Sequence, residues 1–206
     1  MAPQSVVPDV ATVLRGGGTV VLATDTVYGL AVLPTDPVAV ARVWALKDRP
    51  PDQPLAVLVA DVAQAQVLAA VDLTGLGTGC PRGPWLRWAW PGPLTLVVPR
   101  SAAAAELHLG GDPDTIGIRC PADALVRALA AEVGPVAATS ANRHGEPTPT
   151  TADEAAISLT GEPDLVVDGG PAGTVASTVV DLTGPAPRVL RAGALDPAEL
   201  GLERPG

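Results

Sequence analysis

Apolar and polar positions recur with two different periods along this chain, and each change of period marks an element. Pro8 to Arg15 carries apolar residues at helical spacing and is stopped by Gly16–Gly18, which predicts a first helix. The β-branched run Thr19–Ala23 predicts a strand, followed by a polar turn over Thr24–Tyr28. Thr35-Asp36-Pro37 opens a second helix with a capping residue and a proline in the first turn. Val40, Val43, Trp44 and the stem of Lys47 share its apolar face, and it stops before Pro50-Pro51. Leu55–Val59 reads as a buried strand, and Asp61 caps a helix over Val62–Val71. Between Asp72 and Trp90, glycine, proline and tryptophan interrupt every period, and no element is assigned. Leu94–Val98, Thr115–Arg119 and Val136–Ala138 are strands, while Asp123–Val133 is an amphipathic helix with Leu125, Val126, Leu129 and Val133 on one face. Thr151 and Glu154 have the spacing of a capping box, so a helix begins there. Leu165–Val167, Ser177–Leu182 and Arg188–Leu190 are late strands. Helices and strands alternate early and strands crowd the end. That is an α/β pattern, a mixed sheet with helices packed on it rather than a purely parallel one.

Composition narrows the partners. A chain of 206 residues is the size of one domain. With no Phe and one Tyr, its core is aliphatic; the 23 Pro and 22 Gly are scattered, so no repeat architecture is indicated. Thirteen basic against 22 acidic residues give a net charge of −9, and no Lys/Arg stripe is present to neutralise a phosphate backbone. Weak or no direct nucleic-acid binding is therefore expected, whereas a local arginine cluster can still hold a small anion. The opening MAPQSVVPDV lacks the basic region and apolar core of a signal peptide. No charge-free run reaches the roughly 18 residues of a membrane span. Cys80 and Cys120 are too few for a disulfide framework or a metal site. A cytoplasmic protein without a membrane partner is expected.

Four stretches concentrate the candidate chemistry. Ala138–Thr151 leaves a strand and enters a segment of hydroxyls, Thr139, Ser140, Thr148, Thr150 and Thr151, in which Pro147 and Pro149 forbid helix and central strand. Asn142 is the only asparagine of the chain, and it stands in Ser-Ala-Asn. A ligand loop at a strand end and a capped polar turn both account for this stretch. Lys47 is the only lysine against twelve arginines and sits two residues before Arg49. An ammonium and a guanidinium together can grip two different oxygen clusters; a cation ending a helix is the other explanation. Thr24–Leu30, with the only tyrosine at Tyr28, places hydroxyls after a strand, or forms a turn around a satisfied aspartate. Asp168–Gly173 joins glycines to Ser177 and Thr178 but matches neither the Walker A nor the dinucleotide pattern. Arg119 and Arg191 each close a strand, where they can serve as bidentate anion grips or as surface charges. No catalytic triad, nucleophile elbow or zinc cluster is legible, and His108 and His144 carry no such pattern. Chemistry here rests on positioning and electrostatics.

These segments together resemble the YrdC-like threonylcarbamoyl-adenylate synthase family. TDTVYGL (24–30), KDRPPDQPL (47–55), WPGPLTLVV (90–98), TIGIRCP (115–121), AATSAN (137–142), EPTPT (146–150), VDGGP (167–171), STVVDL (177–182) and VLRAG (189–193) follow the family's order over nearly the whole chain. The resemblance implies a single YrdC/RibB-like domain over 1–206, with its core at about 8–195. Its twisted mixed α/β sheet would hold the substrates on a concave face. The implied reaction joins L-threonine, bicarbonate and ATP into L-threonylcarbamoyl-adenylate and pyrophosphate. Downstream transfer proteins then use that product to modify adenosine 37 of tRNA. Carried over by position, Thr26, Arg119, Ser140 and Ser177 contact threonine. Arg49, Gln53, Thr115, Asn142, Thr150 and Arg191 contact ATP, and Lys47 lies at the bicarbonate or phosphate end. Lys47 and Arg49 are the catalytic pair, Mg2+ enters with ATP, and no protein metal site is implied.

Two positions depart from the family's pattern. Gln53 stands where Asn is frequent, and Leu58 where some members place a histidine on threonine. Larger members carry a further C-terminal domain, and this chain resembles the short, single-domain type. The alternatives are a non-catalytic RNA-binding module of the same fold or an inactive paralogue. Against the first stands the net charge of −9; against the second stand the intact Lys-x-Arg and Ser-x-Asn motifs.

Overall fold

The computed structural model describes residues 5–50, 52–80 and 82–205; residues 1–4, where a leader was sought, and Pro51 of the double proline lie outside them. Six helices and nine strands are present among the described residues. They run α1 (Val7–Arg15), β1 (Val20–Ala23), β2 (Tyr28–Val32), α2 (Pro37–Lys47), β3 (Ala56–Leu58), α3 (Val62–Leu68), α4 (Leu86–Ala89) and β4 (Leu94–Pro99). There follow β5 (Thr115–Arg119), α5 (Ala124–Val133), β6 (Val136–Ser140), α6 (Ala152–Ile157), β7 (Leu165–Val167), β8 (Thr178–Asp181) and β9 (Arg188–Arg191).

All nine strands form one sheet in the order β7-β1-β2-β6-β3-β5-β4-β8-β9. The pairs β1–β7, β3–β5 and β4–β8 are parallel, and the other five are antiparallel. The expected mixed sheet is therefore the architecture. Side chains of successive strand residues point to opposite faces, and the two faces bury different sets. On one face Tyr28, Leu30, Val57, Leu94, Leu96, Ile118 and Val180 pack with Val40 and Val43 of α2 and Ala65 and Leu68 of α3. On the other, Val20, Leu22, Ala31, Val136 and Ala138 pack with Val10, Ala11 and Leu14 of α1 and Val126, Leu129 and Ala130 of α5. Helices α1 and α5 cover the β1–β2–β6–β3 part of this second face. The part carried by β5, β4, β8 and β9 stays open, and that asymmetry makes room for a site.

Local signals act as read. The Asp36 carboxylate accepts from the Val38 and Ala39 N–H groups and starts α2, and Thr151 with Glu154 completes a capping box at α6. Several ends shift by one residue, α4 falls in the stretch given no element, and three elements differ by more. Helix α3 ends at Leu68, three residues early, because Ala69 is extended and bridges Arg100 while the Ala70 N–H donates to the Pro99 carbonyl. Strand β6 runs on through Thr139 and Ser140, paired with Leu30 and Gly29. Strand β2, expected as the end of a turn, is fully buried and central.

Candidate active site

A cavity of about 510 Å³ lies on the open face of the sheet. Alternate residues of four strands supply its floor: Ala56 and Leu58; Thr95 and Val97; Thr115, Gly117 and Arg119; Ala138 and Ser140. The site thus spreads across the face of the sheet rather than sitting outside its strand ends, as the hydroxyl loop had suggested. Ten of the eleven expected residues line it: Thr26, Lys47, Arg49, Gln53, Thr115, Arg119, Ser140, Asn142, Ser177 and Arg191. Thr150 does not. Its hydroxyl donates to Glu154 Oε2 at 2.9 Å, and so belongs to the cap of α6.

One backbone turn places both cations of the Lys-x-Arg motif. Lys47 is the last residue of α2, and Asp48 adopts a left-handed conformation (φ 48°) that turns the chain back so that Arg49 also faces the cavity. Lys47 does not cap its own helix. Its side chain is 2% exposed, and Nζ donates to the carbonyls of Ser140 and Asn142; Asn142 Oδ1 lies 3.4 Å away. The Lys47 carbonyl accepts from the His144 N–H at 2.8 Å. Lysine and the Ser-Ala-Asn turn therefore hold one another. The Asn142 amide nitrogen spends itself within the turn, on the carbonyls of Arg143 and Glu146. Both explanations of that stretch hold at once: it is a satisfied turn, and it forms a wall of the cavity.

Arg49 is oriented from three sides, by Gln53 Oε1 at 3.0 Å, Thr139 Oγ1 at 2.8 Å and the Pro54 carbonyl at 3.2 Å. Gln53, the departure from Asn, thus reaches Arg49 through its amide oxygen. Arg191 closes β9 and donates through Nε and Nη2 to the Ser177 carbonyl, at 3.0 and 2.9 Å. The Ser177 hydroxyl lies 2.8 Å from Thr95 Oγ1. Arg119 is 5% exposed and donates to the Gly92 carbonyl, to Thr26 Oγ1 and to Asp25 Oδ1. Thr139, Thr95 and Asp25 were not among the expected site residues. Thr139 lay inside the highlighted hydroxyl stretch, and Asp25 inside Thr24–Leu30; nothing in the sequence sets Thr95 apart.

Positive charge is the dominant property of the cavity. Among its described lining residues are one lysine and three arginines and no Asp or Glu. Burial holds Lys47 down, from 10.5 to about 7, with the neighbouring Arg49 charge adding to the effect. Arg49 is lowered by burial and then by Arg191; Arg191 is lowered by burial and then by Arg119. Three arginines and a lysine that titrates near neutrality, with no carboxylate among the described lining residues, constitute an anion receptor. Leu58, Val97, Val179 and Leu190 give the same cavity apolar surface.

The Sua5/YciO/YrdC family model, described as telomere recombination, matches residues 12–193. Threonylcarbamoyl-AMP synthase of Bacillus subtilis is 38% identical over 187 residues, which cover 90% of this chain and 52% of that protein. The crystal structure of Pyrococcus abyssi Sua5 complexed with L-threonine superposes with a TM-score of 0.78 at 38% identity, covering 92% of this chain and 54% of that one. The chain spans about half the length of both. E. coli YciO superposes with a TM-score of 0.82 at 25% identity, covering 96% of this chain and 93% of that one.

Proposed function

The chain belongs to the Sua5/YciO/YrdC family, and from that premise we propose that it is a threonylcarbamoyl-AMP synthase, a nucleotidyltransferase. It would combine L-threonine, bicarbonate and ATP into threonylcarbamoyl-AMP and pyrophosphate, for downstream proteins that threonylcarbamoylate tRNA in the cytoplasm. The observation that carries the reading is a single cavity lined by Lys47, Arg49, Arg119 and Arg191, with no Asp or Glu among its described lining residues. Arg49 and Arg191, joined by Lys47 when it is protonated, suit the phosphates of ATP. Arg119 spends three of its five N–H groups on Gly92, Thr26 and Asp25, leaving one on each terminal nitrogen for a carboxylate.

In this reading Arg119 holds the threonine carboxylate, and Thr26, Ser140 and Ser177 surround its amine and hydroxyl. The threonine amine must be neutral to attack the carbon of bicarbonate, forming the C–N bond as the bicarbonate hydroxyl leaves with an amine proton as water, and a cationic wall lowers the amine pKa towards that state. The N-carboxylate so formed displaces pyrophosphate from the α-phosphorus of ATP. Arg49 and Arg191 stabilise the charge that develops on the phosphate oxygens, and Lys47 adds its field from behind the Ser140–Asn142 turn. Gln53, Thr115 and Asn142 contribute polar contacts to the nucleotide, and Thr150 joins them only by giving up its bond to Glu154 Oε2 in the cap of α6. Mg2+ is a hard cation that prefers oxygen anions. With no Asp or Glu on the wall, the donor set does not fit a resident metal, so Mg2+ enters as part of the nucleotide.

Pyrophosphate release from ATP should require threonine and bicarbonate together. It should fall sharply with valine or 2-aminobutyrate, because a site that pairs with a substrate hydroxyl is left with unpaired groups by an analogue lacking it. Equal rates with all three amino acids would exclude the assignment. A salt-sensitive complex with unmodified tRNA, without pyrophosphate release, would favour the RNA-binding alternative.

A further inference from the structure

Asp25 stands behind the amino-acid end of the cavity. It lies in the turn between β1 and β2 and is absent from the described cavity lining, unlike its neighbours Thr24 and Thr26. Its Oδ1 accepts from Arg119 Nη2 at 2.6 Å, with the two side chains 15% and 7% exposed. Every other ion pair among the described residues has at least one side chain more than a third exposed. A buried pair of this kind carries no net charge, although the arginine still presents N–H groups. Arg119 therefore differs in kind from the other cations of the cavity. Lys47 donates to neutral carbonyls, Arg49 to an amide, a hydroxyl and a carbonyl, and Arg191 to Ser177 alone. None of these three forms an ion pair with a carboxylate.

We propose that Asp25 is a specificity-determining residue: by cancelling the charge of Arg119 it makes this end accept a zwitterionic amino acid and refuse phosphate. Without it, four cations would run unbroken along one cavity, and inorganic phosphate or the nucleotide's own phosphates could settle on Arg119. The pair also holds the guanidinium, together with Gly92 and Thr26, so that its remaining N–H groups keep one direction. The inference rests on the reading of the Arg119 end as the threonine site.

Threonine binding measured calorimetrically, with the nucleotide end filled by a non-hydrolysable ATP analogue, tests it in the presence and absence of orthophosphate. Wild-type protein should bind threonine with an affinity indifferent to orthophosphate. Asp25→Asn should bind threonine at least about tenfold more weakly, and orthophosphate should displace what remains. In Asp25→Asn combined with Arg119→Gln the orthophosphate site should vanish again. A merely structural aspartate would weaken threonine binding without creating an orthophosphate site, and that outcome overturns the proposal. So does unchanged threonine affinity in Asp25→Asn. Failure of the wild-type protein to bind threonine would refute the functional reading itself, and it shows in the wild-type arm alone. Should Asp25→Asn not fold, Asp25→Glu keeps the charge and must stay indifferent to orthophosphate; sensitivity there overturns the proposal equally.

Discussion

Binding of ATP should draw a proton onto Lys47, and the size of that uptake can be worked out. In the free protein, burial and the Arg49 charge hold this lysine at about 7 instead of 10.5. The difference corresponds to on the order of 5 kcal/mol by which the free site disfavours the ammonium. A polyphosphate in the same cavity supplies the missing counter-charge and raises the pKa again. If it is fully restored, binding takes up about 0.1 proton at pH 6, about 0.5 at pH 7 and about 0.9 at pH 8. Titration calorimetry with Mg-ATP in two buffers of different ionisation enthalpy reads this number directly. Lys47→Arg, whose charge is fixed, reports the nucleotide's own proton changes, and the difference between the proteins belongs to Lys47. Uptake that is flat across pH 6–8, or equal in the two proteins, would refute the reasoning. The same shift has a consequence without ligand. Because the folded value lies below the unfolded one, the unfolded chain binds more protons above pH 7. The contribution of Lys47 to stability therefore rises with pH from about 7 towards 10.5 and is lost as pH falls through 7.

Other outcomes follow from single contacts. Arg119→Lys keeps the charge but loses the planar fork, so threonine KM should rise by at least about tenfold while ATP KM changes little; the reverse pattern would mean that the two ends are exchanged. A Cβ at Gly173 would lie 2.6 Å from the Thr26 carbonyl. Gly173→Ala should therefore displace Thr26 and weaken threonine use on the order of tenfold to a hundredfold, with the fold kept by circular dichroism; normal kinetics would remove this packing from the account. Tyr28→Phe deletes a hydroxyl that donates to the Gly170 carbonyl at 2.7 Å and accepts from the Gly169 N–H at 3.2 Å. Burial raises its pKa and keeps it protonated, so its loss should cost about 1–3 kcal/mol, seen as a lower Tm; an unchanged Tm contradicts it.

How much of this was legible in the sequence depended on the kind of signal. Helix starts were written locally, by Asp36, Asp61, Asp123 and Thr151, each of which accepts the backbone N–H expected of a cap. Strand β2 was not, because Tyr28-Gly29-Leu30-Ala31-Val32 is buried on both faces. A strand of that kind loses the alternation that betrays half-buried ones, and it follows its turn without a polar break. Lys47 and Asn142 were legible because their residue types are rare: one lysine and one asparagine, each in its motif. The difference between the arginines was not. That Arg119 is paired with a carboxylate and Arg49 is not depends on Asp25 lying 94 positions away in sequence. Thr150 shows the converse: its motif places it near the site, while a local competitor, Glu154, takes its hydroxyl.

The central claim is that one cavity joins three substrates, and the fate of the bicarbonate carbon tests it most directly. Protein incubated with ATP, Mg2+, threonine and 13C-bicarbonate should be analysed by mass spectrometry for nucleotide products and in parallel for pyrophosphate. The account predicts a threonine-containing AMP derivative carrying one heavy carbon, formed with one pyrophosphate per molecule and absent when threonine or bicarbonate is omitted. Release of ADP and orthophosphate, or a threonine adduct of AMP without the heavy carbon, would contradict it.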